Sequence, residues 1–401
     1  MGKLLKWLAL FVLAIILVAM VAVALNWERF NRLLRVNSLF TEELIVSNFS
    51  AMDTMFETTT MPRGDVAATP LTGTRQPLPE RFAHDGEIRG LADWMDQNAA
   101  TAIVVLKDGE LVHEDYFRDT GEDDLRISWS VAKSFVSVLL GTVVEAGEIA
   151  SLDDPVELYV PELTGSAYEG VTVRQVANMA SGVTFDEDYL DFNSDINRMG
   201  RVLALGGSMD AFAADLTLRD RPAGRAWQYV SIDTHVLAMV IRGATGRSLP
   251  ELMGERVMQP LGLEADPYFV TDGYGVAFAL GGLNLRTRDY ARFGLMVEQG
   301  GIIEGRRIVS EAWIRESTTP SAPQAPPGGR EMHGYGLQWW IPQAAEAGET
   351  YAVGIYDQYI FIDPERDVVI ALNSANRAFR EPGVRDGQIA MMRAIARHYD
   401  E

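Results

Sequence analysis

The chain contains no cysteine, which removes disulfides, cysteine-based zinc sites and thiol nucleophiles and leaves the redox compartment undetermined. Histidine is scarce as well. His84, His113, His235, His333 and His398 fall in no His-x-His or His-Glu-x-x-His spacing, so no metal site is expected and all five read as surface or hydrogen-bonded structural residues. There is no Gly-x-Ser-x-Gly elbow, no phosphate-binding Gly-x-x-x-x-Gly-Lys loop and no dinucleotide fingerprint, so no cofactor is expected either. Positive charge is in deficit. A formal net charge of -21 would repel a phosphate backbone over most of the surface, which opposes a nucleic-acid partner. Lysine is rarest of all: it occurs only at Lys3, Lys6, Lys107 and Lys133, and the other basic positions are arginine. No internal repeat or coiled-coil heptad is present.

What is there begins with an apolar N-terminus. Lys3 and Lys6 precede an uncharged run from Trp7 to Leu25, long enough at about 1.5 Å per residue to nearly cross a hydrocarbon core. Residues 1–26 therefore read as a membrane segment that meets a lipid bilayer through residues 7–25. A cleaved signal peptide is the rival, because Ala22-Val23-Ala24 has the small-x-small form, although the run exceeds the usual ~7–15 residues of a signal core. Arg29, Arg32 and Arg35 follow the segment and offset the lysines before it, so charge does not fix its orientation. Residues 27–82 mix short amphipathic pieces with Thr/Pro/Gly-rich stretches such as Thr58 to Gly73, and read as a juxtamembrane linker or collar with little chemistry.

The globular part is expected over 83–401. Ala102 to Leu106, Asp108-Gly109 and Leu111 to Phe117 read as a hairpin. Trp129 to Ala146 reads as a helix apolar on nearly every side, hence central and buried, ending near Gly147. From about 148 to 285 the pattern is helical, with pieces near Thr172 to Ala180, Ser208 to Ala214, Asp233 to Ala244 and Leu249 to Val257, suggesting an all-helical subdomain. Tyr335 to Ile341, Tyr351 to Ile362 and Val368 to Asn373 read as strands with a turn at Asp363-Pro364-Glu365, and Gly387 to Tyr399 as a closing helix. The expected fold class is α+β, an antiparallel sheet flanked by helices plus that subdomain, preceded by one transmembrane helix.

Chemistry enters at Ser130-Val131-Ala132-Lys133, where helical spacing lets a hydroxyl and an amine project from one face. A serine hydroxyl needs something to take its proton, and a lysine can do so only if desolvation or nearby charge lowers its pKa. The first turn of a helix adds oriented N–H groups that favour negative charge developing there. Chance alone yields about 0.2 Ser-x-x-Lys matches in such a composition, so the motif is weak without its context. That context is a lysine kept inside the most apolar helix of a lysine-poor chain, where arginine, which cannot be deprotonated, could not serve as a base. Tyr229-Val230-Ser231 follows about a hundred residues later, ahead of a helix with Ser231 or Asp233 as its expected cap. A phenol at a loop end can relay protons; for an arbitrary tyrosine a structural anchor is the plainer reading. Trp339-Trp340 and Tyr356 are candidates to line an acyl pocket, with core or rim positions as the alternative.

In order along the chain come Ile127-Ser128-Trp129-Ser130-Val131-Ala132-Lys133-Ser134, Asp153-Asp154-Pro155-Val156, Tyr159-Val160-Pro161-Glu162-Leu163, Ala180-Ser181-Gly182-Val183, Asn193-Ser194-Asp195, Tyr229-Val230-Ser231-Ile232-Asp233-Thr234, Gly281-Gly282-Leu283 and Arg288-Asp289-Tyr290-Ala291-Arg292-Phe293-Gly294. From about residue 85 onward this series resembles the serine β-lactamase-like, penicillin-recognising hydrolases, and within them the branch of 6-aminohexanoate-dimer (nylon oligomer) hydrolases and related esterases. The resemblance implies an acyl-enzyme mechanism in which Ser130 attacks a carbonyl, Lys133 and Tyr229 manage the protons, and water releases the acyl group. It also implies an oxyanion hole from the backbone N–H groups of Ser130 and Ile355, with Ser231, Gly354, Tyr356 and Asp357 in supporting or substrate-binding places.

Two departures bear on substrate. Relatives usually carry Lys-Thr-Gly or His-Thr-Gly on the strand flanking the site, where this chain has Ala352-Val353-Gly354. The missing cation argues against β-lactams and peptide carboxylates as preferred substrates. Asp357 stands where relatives of this branch often carry glycine; facing the cleft it would favour cationic substrates, and facing outward it would do nothing. The expected activity is a membrane-tethered serine hydrolase of small esters or amides. The alternatives are a β-lactamase or D-alanyl-D-alanine carboxypeptidase, and a non-catalytic envelope binding or sensor protein of the same fold. The resemblance also places the catalytic domain outside a bacterial cytoplasmic membrane, on a single pass, or secreted after signal cleavage.

Overall fold

The computed structural model describes residues 2–25, 27–68, 71–323, 333–346 and 348–400. The side chains of residues 28–30, and so the expected contribution of Arg29 to orientation, lie outside that description. Helix α1, Gly2–Leu25, buries none of its residues. Its 24 residues span about 36 Å at 1.5 Å each, and such an exposed apolar N-terminal helix is either a signal sequence or a membrane anchor. Helix α2, Trp27–Asn37, follows it.

The main sheet has seven antiparallel strands: β1 Ala100–Lys107, β2 Glu110–Tyr116, β3 Gly334–Tyr335, β4 Trp340–Ile341, β5 Thr350–Gly354, β6 Gln358–Asp363 and β7 Val368–Ser374. They lie in the order β3-β4-β5-β6-β7-β1-β2, so the expected hairpin starts the sheet and the C-terminal strands complete it. Side chains alternate between two apolar layers. Val104, Leu106, Ile360 and Val369 face one core cluster, whereas Ile103, Val105, Phe361 and Ile370 face another with Ile389, Met392 and Ile395 of the closing helix.

Four helices place the site: α3 Ala132–Glu145, α4 Asp195–Ala204, α5 Ser231–Thr245 and α6 Thr287–Glu298; the closing helix is α7, Val384–His398. Helix α3 is buried along nearly its whole length, as its composition requires. It starts one turn later than expected, because Trp129–Val131 form a 3₁₀ turn. Two hydroxyls on α3 are bound to the chain crossing it: Ser134 Oγ donates to the Gln338 carbonyl at 2.8 Å and Ser137 Oγ to that of Leu337 at 2.6 Å. On α6, Phe293 stacks on Phe135 of α3 at 3.6 Å. A Cβ at Gly294 would lie 2.5 Å from Val369 and 2.8 Å from Ile360, so only glycine lets α6 sit this close to the sheet. Arg288 clamps Glu114 of β2 with contacts of 2.6 and 2.7 Å. The Arg288-to-Gly294 series is thus a docking device for the sheet.

The segment 148–285 is not wholly helical. It ends in strands Tyr268–Thr271 and Leu283–Leu285, which join Glu57–Thr60 and Arg126–Ile127 in a second, four-stranded sheet. The stretch expected as a linker supplies one of those strands, and Phe49, Met52 and Met61 from it are buried in the main core. Thr/Pro/Gly content concealed this, because Thr58 to Thr60 pair along an exposed edge where alternation of apolar residues is not needed. Phe49 packs edge-on to Trp129 at 5.5 Å and to Tyr356 at 5.4 Å, and Phe40 stacks on Tyr356 at 5.1 Å. An aromatic wedge from this stretch therefore backs the turn that carries Ser130.

If Phe49 is core rather than linker, Phe49→Ala lowers the unfolding free energy by about 3–5 kcal/mol. Denaturant titration checks this; a change within about 0.5 kcal/mol, as for a surface position, contradicts the packing.

Candidate active site

Lys133 is 2 % exposed, and its Nζ donates to Ser130 Oγ at 3.0 Å and to the Leu280 carbonyl at 2.8 Å. Burial is the dominant influence on this amine and lowers its pKa to about 7, against the attraction of the Glu187 and Asp233 carboxylates. Ser130 stands in the 3₁₀ turn ahead of α3, so the N-terminal end of the helix dipole points at its oxygen. A hydroxyl in contact with an amine that can be neutral near pH 7 is a nucleophile–base pair in geometry.

Tyr229 closes the other side of the amine, with its ring centroid 5.4 Å from Lys133 Nζ and 5.4 Å from the ring of Trp340. The next two residues lead into α5, whose N-cap is Val230, with no side-chain cap. Ser231 and Asp233 thus do not cap the helix as expected. The N–H of Ser231 donates to the Glu187 carboxylate, and the fully buried Asp233 accepts from Tyr168 Oη at 2.7 Å. Burial raises the pKa of Asp233 to about 7 and also that of Glu187. Part of Glu187 is open to solvent, yet its Oε2 is shut away. Sequence reasoning missed Glu187 as a site residue, because Asp186-Glu187-Asp188 looks like a solvated acidic run. Its sequence signal was the pair of aromatics that flank the run, Phe185 and Tyr189.

Gly354 at the end of β5 meets the Ser130 turn edge to edge. A Cβ there would lie 2.5 Å from the Ser128 carbonyl oxygen, 2.9 Å from Trp129 Cβ and 3.0 Å from the Ser130 nitrogen. Only glycine permits this approach, which sets Ile355 and Ser130 on one wall of a cleft. Trp129, just before Ser130, holds φ of +43°, a conformation that L side chains disfavour. Phe40, Phe49 and Tyr356 crowd its ring, which is the kind of surrounding packing that such strain requires.

Tyr356 itself faces this aromatic group, among them Phe379 at 4.9 Å, and is not part of the cleft lining. Of the two tryptophans, Trp340 lines the cleft, whereas Trp339 is fully buried and stacks near Phe293. Asp357 lines the cleft, yet it is not a free charge there and not an outward strand residue. It is 2 % exposed, and its Oδ2 accepts from Asn376 Nδ2 at 2.6 Å and Gln388 Nε2 at 3.0 Å. Burial raises its pKa. Its φ of +64° explains why glycine would suit this position, and aspartate is among the residues that best tolerate it.

The cleft encloses about 730 Å³, within the usual range for small-molecule sites. Asp186, Asp188 and Asp220 contribute negative charge to its lining, and Arg221, Arg380 and Arg385 contribute positive charge. The strand lacks the cation that the resemblance would lead one to expect, but the cleft does not. Arg385 reaches it from α7 with its guanidinium 4.8 Å from the Trp340 ring, so the argument from a missing cation against anionic substrates loses its force. No group of three or more His, Cys, Asp or Glu residues suited to a metal ion occurs among the described residues.

The family described as Beta-lactamase matches residues 80–391. The chain is 31 % identical over 336 residues to the 6-aminohexanoate-dimer hydrolase of Paenarthrobacter ureafaciens, covering 80 % of this chain and 83 % of that protein. A Bacillus anthracis structure provisionally named 6-aminohexanoate-dimer hydrolase superposes with a TM-score of 0.81 at 25 % identity, over 90 % of this chain and 95 % of that one. A family VIII carboxylesterase shares the fold with a TM-score of 0.57 at 16 % identity, over 82 % of this chain and 100 % of that one.

Because the Gly354 contact is made to backbone, Gly354→Ala pushes β5 off the Ser130 turn. The expected result is a loss of about 10²-fold or more in kcat with a folded chain by circular dichroism, the scale of losing an oxyanion donor. Unchanged kcat would show that the close approach does not matter.

Proposed function

Since this chain belongs to the Beta-lactamase family and is a serine hydrolase of amides or esters, we propose that it works through an acyl-Ser130 intermediate, held at a membrane by α1, with its catalytic domain outside the cytoplasm. The observation that carries this reading is the 3.0 Å contact between Ser130 Oγ and the enclosed amine of Lys133.

In the first half-reaction neutral Lys133 takes the proton of Ser130 as Oγ bonds to the substrate carbonyl carbon. The carbonyl oxygen gains the negative charge, which the N–H groups of Ser130 and Ile355 receive. Tyr229, beside the ammonium, hands a proton to the departing alcohol or amine and is reprotonated from Lys133. The carbonyl re-forms as the C–O or C–N bond of the leaving group breaks. In the second half, water loses a proton to the same pair, adds to the ester of Ser130, and expels Oγ, which recovers its proton. Ser231 supports the site through the backbone contact to Glu187 that orients this carboxylate near Lys133. Gly354 supports it by admitting the strand.

Ser130→Ala is the direct test. Turnover of small esters by the full chain should fall by about 10³-fold or more, and intact-mass measurement should lose the acyl adduct seen with a slow substrate. Activity that survives the substitution refutes the proposal.

The pH profile tests the base separately. A lysine with a lowered pKa is competent above that value, so kcat/KM should rise with pH through about 7 and then level off. The Glu187 carboxylate favours the charged amine, so Glu187→Gln should move the rise to lower pH. A shift to higher pH, or none, contradicts the electrostatic role given to Glu187.

A further inference from the structure

The apolar surface next to the cleft is concentrated where the N-terminal helices arrive. Leu190 is 88 % and Phe192 68 % exposed, and both follow directly on Tyr189 of the cleft lining. Their exposure is not slack chain. Asn197 Nδ2 donates to the carbonyls of Tyr189 at 3.1 Å and Asp191 at 2.8 Å. The N–H of Leu190 donates to Asp188 Oδ1 at 3.0 Å, and that of Asn193 to Asp191 Oδ1 at 2.8 Å. Arg201 of α4 fixes Phe192, with its guanidinium 4.0 Å from the ring centroid and a 2.6 Å bond to the Phe192 carbonyl.

Along α4 itself only Arg198 is exposed, and apolar surface resumes at its C-terminal end, beside the N-terminal helices. Leu205, the C-cap of α4, is exposed. Beyond it Gly206 is in backbone contact with Gly273, where a Cβ would come 2.2 Å from the Gly206 oxygen, and exposed Tyr274 follows. Helix α2 packs against α4, with Arg32 Nη1 3.6 Å from the position a Cβ on Gly206 would take. Exposed Trp27 and Leu34 are on α2, two residues and about two and a half turns beyond the end of α1 respectively.

We propose that Leu190, Phe192, Leu205 and Tyr274, together with Trp27 and Leu34, form one face seated on a lipid bilayer, so that the cleft opens at the membrane surface. The occupant is set by covalent continuity. A 24-residue apolar helix with no buried residue leads through Asn26 into the helix that carries part of this face, and an apolar patch joined to a membrane segment is covered by lipid before anything else. Aromatic and aliphatic side chains beside arginines are the composition of an interfacial belt. The inference rests on α1 being a retained anchor. It makes substrates dissolved in or adsorbed at the bilayer, esters or amides with an apolar tail, the ones that the cleft meets at highest local concentration.

The absence of cysteine allows a clean test in the full chain. Leu190→Cys, Phe192→Cys and Leu205→Cys, each with a nitroxide label, are placed in phosphatidylcholine vesicles. Zwitterionic lipid is used because a net charge of -21 is repelled by anionic headgroups. Ile88→Cys, exposed on the Arg81–Gly90 hairpin, reports bulk water. Hydrolysis of a small soluble ester by each labelled chain establishes that it is folded. The expected result is a severalfold higher ratio of collisions with oxygen to collisions with a water-soluble nickel chelate at 190, 192 and 205 than at 88. Equal ratios in a chain that stays with the vesicles through carbonate extraction overturn the seated face alone. A chain that has lost α1, or that leaves the vesicles in carbonate, overturns the anchor and the face with it.

Discussion

An amine shut away from water beside a serine is the condition on which the other features of this molecule depend. Left in solvent, Lys133 would be charged at any ordinary pH and useless as a base. Enclosed in α3, it is pushed toward neutrality by desolvation, and the Leu280 carbonyl and Ser130 Oγ each accept one of its hydrogen bonds. The two carboxyl groups near it, Glu187 and Asp233, pull the other way without overcoming burial. They are themselves raised by the same dry surroundings. The three groups therefore share protons as a set, and the balance among them follows how tightly the loop at 186–189 closes over the amine. An apolar helix running through the molecule is the simplest way to create such a place, which is why the most hydrophobic helix of the globular part carries the one buried lysine.

Position must be added to dryness, and it comes from three directions. Helix α6, brought against the sheet by Gly294, stacks Phe293 on Phe135 and so fixes α3 relative to β6 and β7. Gly354 lets β5 touch the turn of Ser130. The aromatic wedge of Phe40, Phe49 and Tyr356 presses on Trp129 from the remaining side and holds it at positive φ. Each contact is short range and steep, so small displacements are resisted, and Ser130 stands on the seam between the sheet and the helical part without belonging to either.

Much of this was legible in the sequence, and the reasons are physical. The hairpin, the central helix and the C-terminal strands announce themselves because burial forces an apolar pattern with the period of the element. The Ser130 and Lys133 pair was visible because lysine is so rare here. What stayed hidden depends on tertiary contacts that leave no period. The strand Glu57–Thr60 is polar because its edge is exposed, so it read as linker. Glu187 is surrounded by acidic residues that are indeed solvated, and only the closing of the loop separates its Oε2 from them. The tyrosine at 356 and the first tryptophan of Trp339-Trp340 have the composition of pocket walls but face packing layers, since an aromatic side chain satisfies both environments equally well.

Charge around the cleft shows how such hidden contacts alter a functional argument. Read linearly, Ala352-Val353-Gly354 removes a cation and Asp357 adds an anion, which together point to positively charged substrates. In three dimensions Asp357 lines the cleft with its Oδ2 accepting from Asn376 and Gln388, and burial favours its protonated form. Meanwhile Arg385 arrives from α7 and Arg380 from the segment before it. The lining therefore carries both signs, with acidic groups contributed by the loops at 186–188 and 220 and arginines by 221, 380 and 385. A small charged group entering there finds an opposite charge whichever sign it has. The lining also holds the apolar surfaces of Phe185, Trp227, Trp340 and Val353, against which an apolar group would be stabilised by area rather than by charge.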